Sequence, residues 1–574
     1  MLALFARPQP CACTLHAARR ALNREVNTLA QLRSATTLER IRPTGGQLPR
    51  FTYNTQHLTE IAYLVRLAEI ERSQRQRRLD PGALPDVARA FEDLARRADV
   101  PADEHPGLLA QAAAMWSLAG YQANASVLAR QLLEALTSEG TVAEPPARPV
   151  PERLACLVAA LIARDIDLVL RLATDAVEAV QTLGEELVDG AVDGLIDLGD
   201  AALLAAYGLV GRAAGSAAGF WREGSPEAAK AALDSVREAS GVLLRAYVVD
   251  SWLLVHTLAA VLADAFAVSP WRRLRGHVRD WNGLWRRHIR LLAHANPPIV
   301  ELWPSQLRAL DKGFLGTATL AVHMPTSAGT TRLAEYALLA ALADLTSDRL
   351  GVFIVPSRAL AAEVEERLHG SLGRVGLRVS ALFGGFDHLD YELDLLENTD
   401  VLVATAEKLD LLFRQEPGLA DRLAVVIVDE AHLLHQRDRG LGLEFLTGRL
   451  RRRAPKARVL LMSAVLPNVE DIGRWLEPEA AGLNVIKEQW TPSRLVTGIF
   501  HWERGRPAIG QTGTVRYPGD EFFLPSVLRR ERRTNRVDST PYPKNKNEDA
   551  AELALHYERL GPVLIGVATK PQCE

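Results

Sequence analysis

Cysteine is scarce in this sequence: Cys11, Cys13, Cys156 and Cys573 are the four in 574 residues. They are too few and too scattered for a disulfide framework, and a reducing, cytoplasmic setting fits this usage best. No group of Cys and His has the spacing of a zinc site, and the Cys11/Cys13 pair lacks a second pair nearby. A surplus of charge is also missing. Lys plus Arg total 67 against 70 Asp plus Glu, a formal net charge of -3, so any nucleic-acid contact must use local basic surface rather than a global field. Long hydrophobic runs are lacking too. The most membrane-like segment, "SWLLVHTLAAVLA" at 251–263, is bounded by Asp250 and Asp264 and falls short of the roughly 20 residues needed to span, so it is expected as a buried core helix. No acid precedes Glu25, yet the apolar stretch Leu2 to Ala6 is shorter than a secretory segment requires, and no signal peptide is expected.

What is present is length and periodicity. A chain of 574 residues is too long for a single core. The first part is rich in Ala, Leu and Arg at helical spacing; in "RLACLVAALIAR", Leu154, Leu157, Val158, Leu161 and Ile162 share one helix face. "AEPPARPVPE" carries four prolines and is expected as a linker. These features predict a helical subdomain over 1–142, a linker over 143–152 and a second helical subdomain over 153–298. From 299 the texture changes to short apolar runs alternating with helical patterns: "TLAVHM" from Thr319, "GVFIVP" from Gly351, "RVSALF" from Arg378, "DVLVAT" from Asp400, "AVVIVD" from Ala424 and "RVLLMS" from Arg458. Such alternation predicts a mostly parallel sheet with helices on both faces over 299–490. Beyond it a polar, Gly- and Pro-rich stretch over 491–550 is expected as β-hairpin and linker, and "GPVLIGVAT" at 561–569 as a new strand opening a further domain over 551–574.

Two places in the sheet region carry chemistry. In the loop Pro325, Thr326, Ser327, Ala328, Gly329, Thr330, Thr331, small residues let backbone N–H groups approach phosphate oxygens ahead of a helix, and Thr331 offers a hydroxyl to Mg²⁺. The phosphate-loop template has lysine where this chain has Thr330. About a hundred residues on, "VVIVDEAHLL" sets Asp429 and Glu430 at the tip of an apolar strand. The first carboxylate can hold Mg²⁺ and the second can polarise an attacking water, although the same pair also suits a helix cap with its first-turn acid. The nucleotide reading requires that the loop and the acidic pair end neighbouring strands and face one cavity. A basic, aromatic stretch, "WRRLRGHVRDWNGLWRRHIRLL" from Trp271, could clamp a single strand; its apolar residues at helical spacing favour an amphipathic helix with tryptophans inward.

Read together, "LWPSQLRAL" at 302–310, the phosphate loop, "VPSRALAAEVE" at 355–365, "ATAEKLD" at 404–410, "DEAH" at 429–432 and "MSAVLP" at 462–467 resemble, in order and spacing, the superfamily 2 DEAD/DEAH-box helicases, with the superkiller-type branch most similar. The resemblance implies a RecA-like P-loop NTPase domain that takes ATP and Mg²⁺. It further implies that Gln306 contacts adenine, that Thr331 and Asp429 serve the metal, that Glu430 positions water, and that His432, Ser463 and Ala464 couple nucleotide state to domain closure. Segments around Ser357 and Arg358, Gly384 and Gly385, and Thr405 to Lys408 resemble those that grip a single- or partly double-stranded RNA or DNA through its backbone, without reading sequence. Such proteins close two RecA-like domains around ATP; here the second is expected as an opening strand alone, to be completed by a second chain or absent from a truncated remnant. The missing lysine makes a hydrolysis-deficient binding module the alternative function, and Arg332 the nearest candidate to replace the lost charge.

Overall fold

The computed structural model describes residues 84–95, 105–138, 149–192, 197–278, 281, 283–343, 348–382, 394–480, 484–492, 497–502, 508–516, 523–532, 541–543, 545–558 and 563–566. They divide into two compact units, one holding the described residues from 109 to 492, the other those of 84–108 and from 497 onward. Gly384, Gly385, Cys11, Cys13, Cys573 and most of the expected N-terminal subdomain lie outside the described residues.

The first part of the larger unit is helical. Helices Leu198–Glu223 and Pro226–Arg245 pack as a hairpin whose turn is dictated locally. Gly224 takes φ +74° to end the first helix, Ser225 caps the second through the Ala228 N–H at 3.2 Å, and Pro226 starts it. A side chain at Gly224 would collide with the Trp271 ring. The helix Val249–Ala267 and the helix Leu198–Glu223 are long and apolar enough to cross a membrane, yet Leu253, Leu254, Val255, Leu258, Val261 and Leu262 are buried by neighbouring helices, as expected for 251–263. Two expectations for this region are corrected. The linker ends sooner, because Val150–Glu152 already form the first turn of helix Val150–Ala163, where Pro151 is tolerated for want of a helical N–H partner. The basic, aromatic stretch is not one helix: a turn at Pro270–Arg273 and a 3-10 turn at Leu274–Gly276 precede a separate helix Gly283–Ala293. Trp271 and Trp285 are buried and Arg272, Arg286 and Arg287 face outward, so the tryptophans pack inward as anticipated.

The second part is a seven-stranded parallel sheet in the order β3-β4-β2-β5-β6-β1-β7, with β1 Leu320–His323, β2 Leu350–Val355, β3 Val379–Leu382, β4 Val401–Thr405, β5 Leu423–Val428, β6 Arg458–Ser463 and β7 Val485–Lys487. All six apolar runs read from the sequence are strands. The seventh, inside "NVIKE", is too short to show a pattern. Right-handed crossovers decide where the helices go. The chain moves along the sheet in one direction from β1 to β2 and from β2 to β3, so helices Thr330–Ala341 and Arg358–Ser371 share one face. It returns in the other direction, which puts Ala406–Gln415, Arg437–Arg453 and Val469–Leu476 on the opposite face, where Leu409, Phe413, Leu443, Leu446, Ile472 and Leu476 pack on Val352, Val426, Val428 and Leu461. This is the RecA-like arrangement expected over 299–490.

Helix Gly283–Ala293 belongs to the same unit and lies on the first face: Trp285 stands 6.1 Å and His288 5.9 Å from the Tyr336 ring, centroid to centroid. His288 is fully buried with both ring nitrogens unpartnered, and desolvation pushes its pKa down to about 3, so it stays neutral.

In the smaller unit, Ile499–Trp502, Thr512–Arg516 and Phe523–Arg529 form a three-stranded antiparallel sheet in the stretch expected to hold a hairpin. Helix Lys546–Glu558 packs on it, with Asp549 accepting from the Trp502 indole at 3.0 Å. That helix crosses the expected boundary at 551. The polar run "KNKNEDAA" reads as linker, but Asn545 caps the helix through the Asn547 and Glu548 N–H groups, and acids fill its first turn. The strand expected at 561–569 is not formed over its described residues, Val563–Gly566; Leu564 is 96% exposed, and among the described residues no strand pairs with it.

Candidate nucleotide site

All seven strands are parallel, so the loops that follow them gather along one sheet edge. After β1, Pro325 leads into a 3-10 turn Thr326–Ala328; Gly329 at φ +86° reverses the chain, and Thr330 begins the helix Thr330–Ala341. No side chain caps that helix, so its first N–H groups and the positive end of its dipole are left for an anion. The loop is braced from below. Ser305 donates to the Ala328 carbonyl at 2.9 Å, and the Gln306 amide nitrogen donates to the Gly329 carbonyl at 3.2 Å. The Gln306 oxygen accepts from the Trp303 N–H at 2.9 Å, and the residue is only 4% exposed. An amide has two donors and two lone pairs, so one of each remains for a base. Because the loop needs a left-handed residue here and a Cβ would strike the Gln306 amide, Gly329→Ala is expected to destabilise the fold by about 1–3 kcal/mol and abolish nucleotide binding, measured by melting and calorimetry.

Asp429 and Glu430 follow β5. They do not end a strand adjacent to β1: β6 lies between, pairing with β5 on one side and β1 on the other. This corrects the expected neighbouring placement, and it has a consequence. The end of β6 brings Ser463 and Ala464 between the loop and the acids. His432 Nδ1 stands 3.2 Å from the Ser463 hydroxyl and 3.0 Å from a Glu430 carboxylate oxygen, while the Ser463 oxygen accepts from the Val465 N–H at 3.1 Å. One nitrogen faces two oxygens. Protonated, it donates to Glu430; bare, it accepts from Ser463. Glu430 is held at φ +55°, a conformation that costs a non-glycine residue about 1 kcal/mol and re-aims its side chain.

Burial, and secondly the Glu430 carboxylate, push the Asp429 carboxyl up to about 6. A divalent cation would relieve that strain. Mg²⁺, which the motifs imply, prefers oxygen donors and takes one or two carboxylates alongside phosphate and water. Asp429 and the half-buried Thr331 fit this donor set; among the described residues no three His, Cys, Asp or Glu side chains cluster as a self-sufficient metal cage.

Arg332 does not stand in for the missing lysine. Its guanidinium bonds the fully buried Glu335, pointing along the helix into the interior. Arg332→Ala is therefore expected to strand a buried carboxylate, lowering stability by about 3 kcal/mol in a melt while leaving ATP affinity unchanged.

The remaining predicted residues are spread along the same edge. Ser357 caps the helix after β2, accepting from the Leu360 N–H at 3.4 Å, with Arg358 exposed beside it. Thr405 ends β4 and accepts from the Lys408 N–H at 3.4 Å. Lys408 itself is 3% exposed, so its ammonium is not an open surface charge. Sequence reasoning missed Arg439. From helix Arg437–Arg453 it bonds the Pro356 carbonyl and the Glu407 carboxylate, the latter at 3.2 Å, so it ties the loops after β2 and β4 together. A cavity of about 10 Å³, room for one water, lies between these groups and Asp429.

A phosphate-type loop and an acid pair on the edge of a parallel RecA-like sheet give this domain the P-loop NTPase fold. Residues 303–472 match the DEAD/DEAH box helicase family, and this stretch is a superfamily 2 helicase domain. The chain is similar to the Hachiman protein HamB of Bacillus cereus, 29% identical over 355 residues, covering 61% of this chain and 31% of that one. It is also similar to the ATP-dependent DNA helicase Hel308 of Pyrococcus horikoshii, 34% identical over 213 residues, covering 36% of this chain and 28% of that one. It thus spans about a third of the length of these curated relatives. A solved structure of Mycobacterium smegmatis helicase Lhr bound to ssDNA and AMP-PNP covers 36% of this chain and 27% of its own, at 23% identity and a TM-score of 0.31.

Proposed function

We propose that this domain binds ATP with Mg²⁺ on the loop Pro325–Thr331 and serves an ATP-dependent nucleic-acid helicase or translocase working in the cytoplasm. The observation that carries the reading is the His432 contact with both Glu430 and Ser463, which gives the nucleotide edge a physical link to β6. In this reading Asp429 and Thr331 hold the metal, which neutralises charge on the phosphates, and Glu430 orients the attacking water. Ser357, Arg358 and the N–H groups around Thr405 hold strand phosphates, so binding ignores sequence and accepts single- or partly double-stranded RNA or DNA. A second RecA-like half, whichever chain carries it, would close over the nucleotide.

The test is the anisotropy of a labelled single strand with and without Mg-ATP. Wild type is expected to change strand affinity about five- to tenfold on nucleotide binding, and His432→Ala to keep both ligands while losing that change. Strand affinity indifferent to ATP in the wild type would overturn the reading. A second reading, a binding module that does not hydrolyse, is favoured by Thr330 and by the engagement of Arg332 with Glu335. It predicts nucleotide-dependent strand binding without phosphate release, even when strand is added.

A further inference from the structure

β5 lies between β6 and β2, so a movement of the acids at its tip can pass to either side of the sheet. His432 faces β6. The other side is reached through Arg439. The acid pair runs directly into the 3-10 turn Ala431–His435, where the Leu433 N–H bonds the Glu430 carbonyl at 3.0 Å. Helix Arg437–Arg453 starts against that turn: the Gln436 N–H bonds the Leu433 carbonyl at 2.9 Å, and a Cβ built on Gly440 would stand 2.5 Å from the Leu434 carbonyl oxygen and 2.9 Å from that of Leu433. Without a side chain at 440 the two backbones pack in direct contact, so turn and helix start shift as one body. Arg439 is the residue before that contact. Its guanidinium reaches the Pro356 carbonyl, one residue before Ser357, and the Glu407 carboxylate at 3.2 Å, two residues beyond Thr405.

We propose that Arg439 is a positioning residue that carries the state of the acid pair to the loops after β2 and β4, and so sets how tightly those loops hold a nucleic-acid strand when nucleotide is bound. The inference rests on the strand reading of Ser357, Arg358 and Thr405, and adds a route by which nucleotide reaches them that is separate from His432 and Ser463. A planar guanidinium offers its N–H groups in fixed directions, here one to a carbonyl and one to a carboxylate on two different loops; an ammonium on a flexible stem does not hold both in one geometry. The Glu407 charge beside it also weighs against a second role. With its guanidinium engaged by two protein oxygens, one of them anionic, Arg439 acts by fixing the spacing of the two loops and not by neutralising strand phosphates.

Anisotropy of a labelled single strand on the full chain, with and without Mg-ATP and over a series of salt concentrations, tests this, with calorimetry of ATP alone beside it. Against the wild-type change of about five- to tenfold, Arg439→Ala is expected to reduce the effect of ATP on strand affinity to under about twofold. It should leave ATP affinity unchanged and keep the wild-type slope of log affinity against log salt. Arg439→Lys, which retains the charge, should lose the change as Arg439→Ala does, whereas Glu407→Gln, which retains an oxygen acceptor, should keep most of it. Melting curves identify any general loss of fold in Arg439→Ala, in which case Arg439→Lys alone decides. A change that survives in Arg439→Ala or returns with lysine would overturn the assignment while leaving the nucleotide and strand reading standing. So would a salt slope lower by about 0.7 in Arg439→Ala, the signature of one lost phosphate contact on a single strand. A wild type whose strand affinity ignores ATP would instead overturn that reading, and the route with it.

Discussion

Thr330→Lys is expected to tighten Mg-ATP binding by about ten- to a hundredfold, the worth of one charge-assisted hydrogen bond of ~1.5–3 kcal/mol. Thr330 is the first residue of the helix that follows Gly329, where an extended ammonium stem reaches toward the anion site and lysine is no worse a helix former than threonine. The gain should be larger for ATP than for ADP, because the added charge serves the β- and γ-phosphates. With a second RecA-like half supplied, turnover should rise by roughly 10²–10³, the usual effect of one positioned electrostatic group. Calorimetry reads the first effect and phosphate release the second. An unchanged affinity for ATP would mean that the loop does not hold the phosphates at all.

Asp429→Asn should act in opposite directions on stability and on binding. The Asp429 carboxyl is pushed up to about 6 when folded, against 3.8 for an unperturbed aspartate. Below about pH 4 it is protonated whether the chain is folded or not, and it costs nothing. Between about 4 and 6 the unfolded chain releases its proton first, so stability falls as pH rises; above about 6 the whole cost of a buried carboxylate is present. Asparagine keeps an oxygen to accept the Glu430 N–H, now bonded at 3.0 Å, without the charge. Allowing for partial solvent screening, the substitution is expected to stabilise by about 1–2 kcal/mol at pH 7.5, a rise of roughly 2–6 °C in Tm, with the advantage shrinking to nothing toward pH 4. The same substitution should abolish the Mg²⁺ dependence of nucleotide binding. A variant no more stable than wild type at pH 7.5 would show that Asp429 is not strained by burial.

These two residues mark how unevenly the site was written in the sequence. The loop, the acid pair and their order could be read directly, because an apolar run followed by small or acidic residues is a local pattern. The engagement of Arg332 could not. Whether a side chain at a helix start turns toward a ligand or along its own helix depends on what waits in the interior, and Glu335 waits three residues on. Nor could the burial of Lys408, 3% exposed, be read locally, because it depends on packing between segments distant in the chain. Trp303 and Trp490 lie nearly two hundred residues apart and meet only because β7 adds to the sheet beside β1.

By itself the sequence determined six of the seven strands, their alternation with helices and the absent phosphate-loop lysine, because hydrophobic period and residue identity act within a few residues of chain. Tertiary structure alone decided that β6 separates the loop from the acids, that His432 therefore meets Ser463, and that the tryptophan-rich segment breaks into two pieces. Strand order and side-chain direction are set by pairing and packing between distant segments, and no local pattern carries that information.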